Sequence, residues 1–207
     1  MPASLPKHVA FTADSSFGLV KSFAQQVFDL QIPVASFLLL STSEPADFSA
    51  TIDSLCQFFT DIAGWDYLPK NQVKVSVLGR WYDLPGRVVD RIKGAVEETK
   101  DYDKFFLNLC VNYDGQDEIV AACQLIAMQV KSEKLDPLAI TKELVKENLY
   151  CSYFIPPDLI VKTGARLLPN LLLWDSPKAV IFFPGKEWLL LKPADFEDAL
   201  KYYQQAY

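Results

Sequence analysis

One histidine, four cysteines, and carboxylates and hydroxyls at the strand ends set the chemistry open to these 207 residues. A Ser–His or Cys–His nucleophilic pair has to use His8. His8 opens a short apolar run, where it reads as a structural or surface residue. The cysteines, Cys56, Cys110, Cys123 and Cys151, are far apart, with no C-x-x-C pair. Three of them sit inside apolar runs, where cysteine behaves as a small buried hydrophobe. Neither a disulfide framework nor a zinc site is expected from that spacing. Asp14 has two readings: a carboxylate that handles charge, or the N-cap of a helix starting near Ser16. Ser15 and Ser16 add hydroxyls and backbone N–H groups near that helix start, which makes a weak anion site at most.

The elements that must position these groups alternate between short apolar runs and longer amphipathic ones. His8 to Ala13 reads as a first strand, and Phe17, Val20, Phe23, Ala24 and Val27 recur after it at helical spacing. Pro33 ends that helix, and Val34 to Leu40 is a fully apolar second strand. Ser43 can cap a helix whose one face is Phe48, Ile52, Leu55, Phe58, Phe59 and Ile62. A third strand spans Val73 to Leu78. A charged helix follows over Leu84 to Thr99, with Asp83 as its cap and Pro85 in the first turn. Phe105 to Val111 is a fourth strand and Asp117 to Val130 its helix. Pro137 to Glu147 is expected as a further helix capped by Asp136. Leu159 to Lys162 and Val180 to Phe183 are two more strands, and Ala194 to Tyr203 a closing helix. Continuously apolar strands alternating with helices imply an α/β domain with a mostly parallel sheet of about six strands, covered on both faces. No repeat, linker or low-complexity stretch divides residues 1–207, so one domain is expected. In such sheets the ligand crevice lies beyond the carboxyl ends of the strands. That rule selects Ala13–Gly18, Ser41–Ala46, Gly79–Asp83, Asn112–Gln116 and Thr163–Asn170.

The net charge of −6, with no basic run, argues against nucleic acid as a partner. No stretch approaches the ~18 apolar residues of a membrane span. Lys7 followed by a strand-sized apolar run is not a signal peptide. A cytoplasmic chain is expected, with peripheral membrane contact only through a partner or product. The 14 Phe, 9 Tyr and 4 Trp exceed the needs of a minimal core, and an apolar dimer face is one use for them.

Several segments resemble the cis-prenyltransferase family of undecaprenyl diphosphate synthase type. Leu107-Asn108-Leu109-Cys110-Val111-Asn112-Tyr113-Asp114-Gly115-Gln116-Asp117-Glu118-Ile119 is similar to that family's L-N-x-x-x-N-Y-G-G-R-x-E-I block. Pro157-Asp158-Leu159-Ile160-Val161-Lys162-Thr163-Gly164 resembles P-D-L-x-I-R-T-G-G-E, and Asn170-Leu171-Leu172-Leu173-Trp174 resembles the N-F-L-L-W after it. His8-Val9-Ala10-Phe11 through Asp14 resembles H-V-A-I-I-M-D, and Ser43-Glu44 falls where the family has S-x-E-N-W. The matches run in order along nearly the whole chain. The resemblance implies a single cis-prenyltransferase domain that handles isoprenoid diphosphates with Mg²⁺. It implies a tunnel between apolar helices for the growing chain, with the helix from Phe48 to Ile62 as the counterpart of a tunnel wall. That stripe reads equally as core-facing. Asp14 is the implied catalytic and metal residue. Lys162, Thr163, Gly164, Arg166 and Asn170 are the implied substrate-binding set, and Asn108, Asn112, Tyr113, Gly115 and Glu118 the implied dimer surface.

The departures from the pattern bear on function. In the family, D-G-N-G-R-W follows the first strand and wraps an allylic diphosphate. Here Asp14 is followed by Ser15-Ser16-Phe17, and Phe17 cannot make the bidentate phosphate contact of an arginine. The loop and helix start that carry further Arg and His residues in the family are absent before Gly18-Leu19-Val20-Lys21. Ser43-Glu44-Pro45-Ala46-Asp47-Phe48 lacks the Trp and Arg of S-x-E-N-W-x-R-P. The R-T-G-G-E-x-R-x-S stretch becomes Lys162-Thr163-Gly164-Ala165-Arg166-Leu167-Leu168-Pro169, without the metal-binding glutamate and one residue shorter. Lys162 keeps a charge but not the fork, and Arg166 is out of register. Gln205-Ala206-Tyr207 has no counterpart of the family's terminal R-x-G.

The missing segment after the first strand is similar to the non-catalytic subunits of heteromeric cis-prenyltransferases, the group that includes the Nogo-B receptor. The resemblance therefore implies an accessory subunit that supports a catalytic homologue, with a homodimer in isolation as the alternative assembly. No cofactor is expected for this chain alone, and Mg²⁺ is expected in the complex. Two other readings stand beside it. One is an active, atypical cis-prenyltransferase using Asp14, Lys162 and Arg166; the other is a carrier that keeps the tunnel and binds prenyl lipids without chemistry.

Overall fold

The computed structural model describes residues 5–13, 17–42 and 48–206. Along the chain run β1 (His8–Thr12), α1 (Val20–Asp29), β2 (Val34–Ser41), α2 (Phe48–Ala63), α3 (Tyr67–Asn71), β3 (Val73–Leu78), α4 (Gly86–Glu98), β4 (Phe105–Tyr113), α5 (Gly115–Lys131), α6 (Lys142–Glu147), β5 (Leu159–Val161), β6 (Val180–Phe182) and α7 (Pro193–Gln205). The six strands form one sheet in the order β3-β4-β2-β1-β5-β6. Every pairing is parallel, as the unbroken apolar strands require.

Side chains alternate across the sheet with a period of two. On one face Phe11, Phe37, Val75, Leu109 and Val161 enter a large core under α1, α2, α4 and α7. On the other, Ala10, Leu78, Cys110, Tyr113 and Ile160 meet a smaller cluster with Ala122 of α5 and with Leu149, Cys151, Leu171 and Leu172. Much of the aromatic surplus is consumed inside. Phe11 stacks on Phe37 at 4.9 Å between ring centroids and meets Phe23, Trp188 and Phe196 within 6.1 Å. Offset and edge contacts of this kind add ~0.5–1.5 kcal/mol each beyond burial.

Several boundaries differ from the sequence expectation, each for a local reason. Asp83 does not cap α4. It closes a 3₁₀ turn (Trp81–Asp83) by accepting from Arg80 Nε at 2.8 Å, and Pro85 occupies the cap position instead. The helix expected over Pro137–Glu147 splits in two. Asp136 caps a single 3₁₀ turn through Leu138 N at 2.9 Å, Ile140 is extended, and Thr141 accepts from Leu144 N at 3.2 Å to start α6. Two competing caps within five residues leave no continuous helix between them. β4 runs on to Tyr113, and α5 starts at Gly115 behind Asp114. Asp14, Ser15, Ser16, Ser43, Glu44 and the rest of 43–47 lie outside the described residues. Among the described residues no helix is long and apolar enough to cross a membrane.

His8 is a core residue, buried between β1, β2 and the segment before β5. Its Nδ1 lies 2.7 Å from the Ile155 carbonyl, which can only accept, so Nδ1 carries the proton and Nε2 accepts from the Ser36 hydroxyl at 2.7 Å. Asn108 Nδ2 donates to the same hydroxyl at 3.1 Å. Burial lowers the His8 pKa to about 4 from an ordinary 6.5, against the pull of the Ile155 carbonyl. A folded-state pKa below the unfolded value means that acid favours the unfolded chain, which takes the proton first. The cost is absent above pH 6.5 and grows as pH falls toward 4, reaching roughly 3 kcal/mol. Denaturant unfolding of His8→Gln against the parent chain should therefore show the difference in their stabilities changing between pH 6.5 and 4 and flat above that window. A difference independent of pH would mean that His8 titrates normally when folded.

Candidate functional site

β1 is the strand at which the sheet's winding reverses: the chain leaves it for β2 on one side, and β5 arrives on the other. The crevice rule places a site at the carboxyl ends of β1 and β5. Thr12 and Thr163 meet there. Thr163 N donates to Thr12 Oγ1 at 3.0 Å, Thr163 Oγ1 donates to the Thr12 carbonyl at 2.7 Å, and the two hydroxyls lie 2.9 Å apart. Both residues are buried, so these bonds tie β1 to the end of β5 at the floor of the crevice.

The implied substrate-binding residues are brought to one rim but not to one purpose. Lys162 is half-buried, and its ammonium hydrogen-bonds the carbonyl of Thr163 rather than reaching outward. Gly164 is in the left-handed region at φ 66°, and its N–H donates to Lys186 O at 2.9 Å. Arg166 is exposed on the loop, near Gly185, and among the described residues no carboxylate pairs with it. Leu167 and Leu168 beside it are 69% and 80% exposed. Asn170 turns away from this group, and its Nδ2 binds Asp114 Oδ2.

Asp114 was not singled out by sequence reasoning, although an Asp directly before a helix is a capping signal. Its Oδ1 accepts from Gln116 N at 2.8 Å and Asp117 N at 3.1 Å. The amino end of α5, at the tip of β4, therefore already holds an anion, the chain's own. Asp117 stands in the first turn of α5, its Oδ2 3.4 Å from the Thr42 hydroxyl. Arg80, across the rim, is committed to Asp83 at 2.8 Å. That side of the crevice presents Asp114 and Asp117, with its arginine already paired.

The five residues placed by resemblance on a dimer surface are used largely inside the chain. Asn108 belongs to the His8–Ser36 network. Tyr113 and Glu118 are each 1% exposed and bond to one another at 2.5 Å. Glu118 Oε1 also accepts from Cys151 N at 3.0 Å, and Tyr113 OH accepts from Leu172 N at 3.1 Å. Gly115 is needed for close approach, because an added Cβ would lie 2.7 Å from Leu173 Cβ and 2.9 Å from Asn170 O. Only Asn112 keeps partial exposure. It sits in the left-handed region at φ 48° and donates to Arg80 O at 2.9 Å. These residues can shape such a face from beneath, but most of them do not present it.

Among the described residues no group of three His, Cys, Asp or Glu side chains is arranged to hold a metal. The Thr163–Asn170 loop contains no carboxylate, its charged residue Arg166 is positive, and Asp14, the implied metal residue, lies outside the described residues. Mg²⁺ prefers carboxylate oxygens, and the described residues of this loop supply none. Burial pushes the Cys110 and Cys151 thiols up, so neither is a nucleophile.

Residues 7–207 match the family model Prenyltransf, described as "Putative undecaprenyl diphosphate synthase". The chain belongs to the cis-prenyltransferase family. A relative from Methanocaldococcus jannaschii, named tritrans,polycis-undecaprenyl-diphosphate synthase (geranylgeranyl-diphosphate specific), is 32% identical over 98% of this chain and 81% of its own. That alignment spans 227 positions, so at least 20 of them have no residue in this 207-residue chain. A chloroplastic dehydrodolichyl diphosphate synthase from Solanum lycopersicum is 27% identical over 97% of this chain and 72% of its own. The crystal structure of lavandulyl diphosphate synthase from Lavandula x intermedia, in complex with dimethylallyl diphosphate, shares the fold with a TM-score of 0.85. It is 23% identical, over 98% of this chain and 97% of that one. Both synthases aligned by sequence, like this chain, belong to a family of prenyl-transferring enzymes, and the cis-prenyltransferase fold is shared over the whole described chain.

The internal bonds of this cis-prenyltransferase domain set its stability. Glu118→Ala leaves the Tyr113 hydroxyl and Cys151 N–H without their acceptor in a buried site and should cost roughly 3 kcal/mol, whereas Glu118→Gln keeps one acceptor oxygen and the volume and should cost less. Asp114→Ala removes a cap and should cost about 1 kcal/mol. Urea unfolding measures all three, and a neutral Glu118→Ala would show that the buried pair carries no weight.

Proposed function

We propose that this chain is a non-catalytic accessory subunit of a heteromeric cis-prenyltransferase that makes polyprenyl diphosphate, supporting a catalytic homologue. The observation that carries this reading is the state of the rim. Thr12 and Thr163 hydrogen-bond one another, Lys162 is turned onto the backbone, and the chain's own Asp114 occupies the α5 terminus. Diphosphate departure needs cationic or metal clamps already aimed at the leaving oxygens. Loss of one such donor costs ~10²-fold or more, and several are missing together. Magnesium then enters through carboxylates of the catalytic homologue.

A second reading has its own support: the relatives aligned by sequence are named as synthases. On that reading the chain is itself an atypical transferase working through Asp14, Lys162 and Arg166. The two are separated by one assay with Mg²⁺, isopentenyl diphosphate and an allylic starter. The purified single chain is expected to give negligible transfer. A full-motif homologue captured with it from native cell extract is expected to restore transfer, and stripping that homologue to abolish it. Turnover by the pure single chain that disappears in Asp14→Ala would overturn the accessory reading.

A further inference from the structure

The amino end of the sheet, opposite the crevice, carries a cavity of about 510 Å³ that neither reading of the crevice uses. Val34 of β2, Phe106 of β4 and Lys74 and Ser76 of β3 share one face of the sheet and supply its floor. Tyr153, Phe154 and Ile155 wall it, with Phe154 set edge-on to Phe106 at 6.5 Å between ring centroids. Tyr153 is 82% exposed and Ile155 43%, so large apolar side chains stand at its mouth instead of filling it. The volume lies in the range of small-molecule sites.

A line of directional hydrogen bonds runs beside this cavity and ends in an unused acceptor. Asn108 of β4 stands opposite Ser36 of β2 on one side and Ser76 of β3 on the other. Its Nδ2 donates to the Ser36 hydroxyl at 3.1 Å, and that hydroxyl donates to His8 Nε2 at 2.7 Å. His8 Nδ1 donates in turn to the carbonyl of Ile155, itself a wall residue, at 2.7 Å. With its nitrogen held toward β2, the planar Asn108 amide turns its oxygen to the β3 side, where Ser76 lines the cavity. Asn108 is 1% exposed, and among the described residues its Oδ1 has no hydrogen-bond partner. A buried carbonyl oxygen so placed calls for an N–H or O–H donor. Lys74, the charged residue of the lining, is two residues from Ser76 on the same face, ~7 Å along the strand and within reach of a lysine side chain.

We propose that this cavity binds a small amphipathic acid of the N-acyl amino acid class. The apolar tail lies against Val34, Phe106 and Phe154, the amide N–H donates to Asn108 Oδ1, and the carboxylate pairs with Lys74. An N-acyl amino acid carries its N–H and its carboxylate one carbon apart at the end of an apolar chain, which suits an acceptor and a cation on neighbouring strands. A ligand there completes the hydrogen-bond chain that ties β1, β2 and β4 to the segment before β5. The site is separate from the crevice and holds whether the chain is accessory or catalytic.

Calorimetric titration of the full chain with N-octanoylglycine tests the proposal. Saturable binding at one site is expected. N-Octanoylsarcosine, which has a methyl group in place of the N–H, should bind about 3–10-fold more weakly. Lys74→Gln, at a half-buried position on the edge strand chosen to keep the fold, should weaken N-octanoylglycine by ~3–10-fold, and added salt should narrow that difference. Phe106→Trp, which fills the cavity without removing a hydrogen bond, should weaken both ligands. The absence of saturable binding, equal affinity for the sarcosine analogue, or a Lys74→Gln chain that binds like the parent would overturn the proposal. Competition by inorganic diphosphate would overturn it too, because it would place the ligand in the crevice.

Discussion

Everything in this molecule hangs on β1. It is paired on both edges, to β2 and to β5, and covered on both faces, so each of its residues is buried. Such a strand can carry almost no unpaired polar group. Its first residue, His8, is neutral and bonded at both ring nitrogens, and its last, Thr12, is closed onto Thr163. Phe11 between them anchors the aromatic cluster that holds α1 and α7 to the sheet. The same burial that makes β1 the organising strand fixes the crevice floor at its tip.

The electrostatics of the rim follow from choices one residue wide. A carboxylate at the α5 cap stabilises the helix by satisfying its first N–H groups, and it thereby removes a ready-made anion site. Asn170 is held by that same carboxylate, so the Thr163–Asn170 loop is tied to α5 instead of standing free over the crevice. The α5 cap and the tie to Asn170 both draw on the one carboxylate of Asp114.

Fold was legible in the sequence because its signals are local and periodic. Apolar strands without alternation mean a parallel sheet, and stripes such as Ile52-Leu55-Phe59-Ile62 mean a buried helix face. What such a stripe touches is not local: the α2 pattern suits a tunnel wall and a solid core equally, and only packing separates them. The same limit applied to Glu118 and Tyr113. A matching block marks their identity, whereas their burial depends on Cys151 and Leu172, more than 30 residues further on. Asp83 and Pro137–Glu147 show the reverse case, in which competing local caps and turns shift a helix that periodicity alone would extend. Asp114 could have been read from its place before Gly115, but its hold on Asn170 could not.

The claim at the centre of this account is that the chain has given up its own diphosphate site. Calorimetric titration of the isolated chain with inorganic diphosphate, with and without Mg²⁺, tests it most directly. The account predicts no saturable binding tighter than about 1 mM under either condition. Magnesium-dependent binding in the micromolar range, lost in Asp14→Ala or Arg166→Ala, would contradict it and return the chain to the catalytic members of its family.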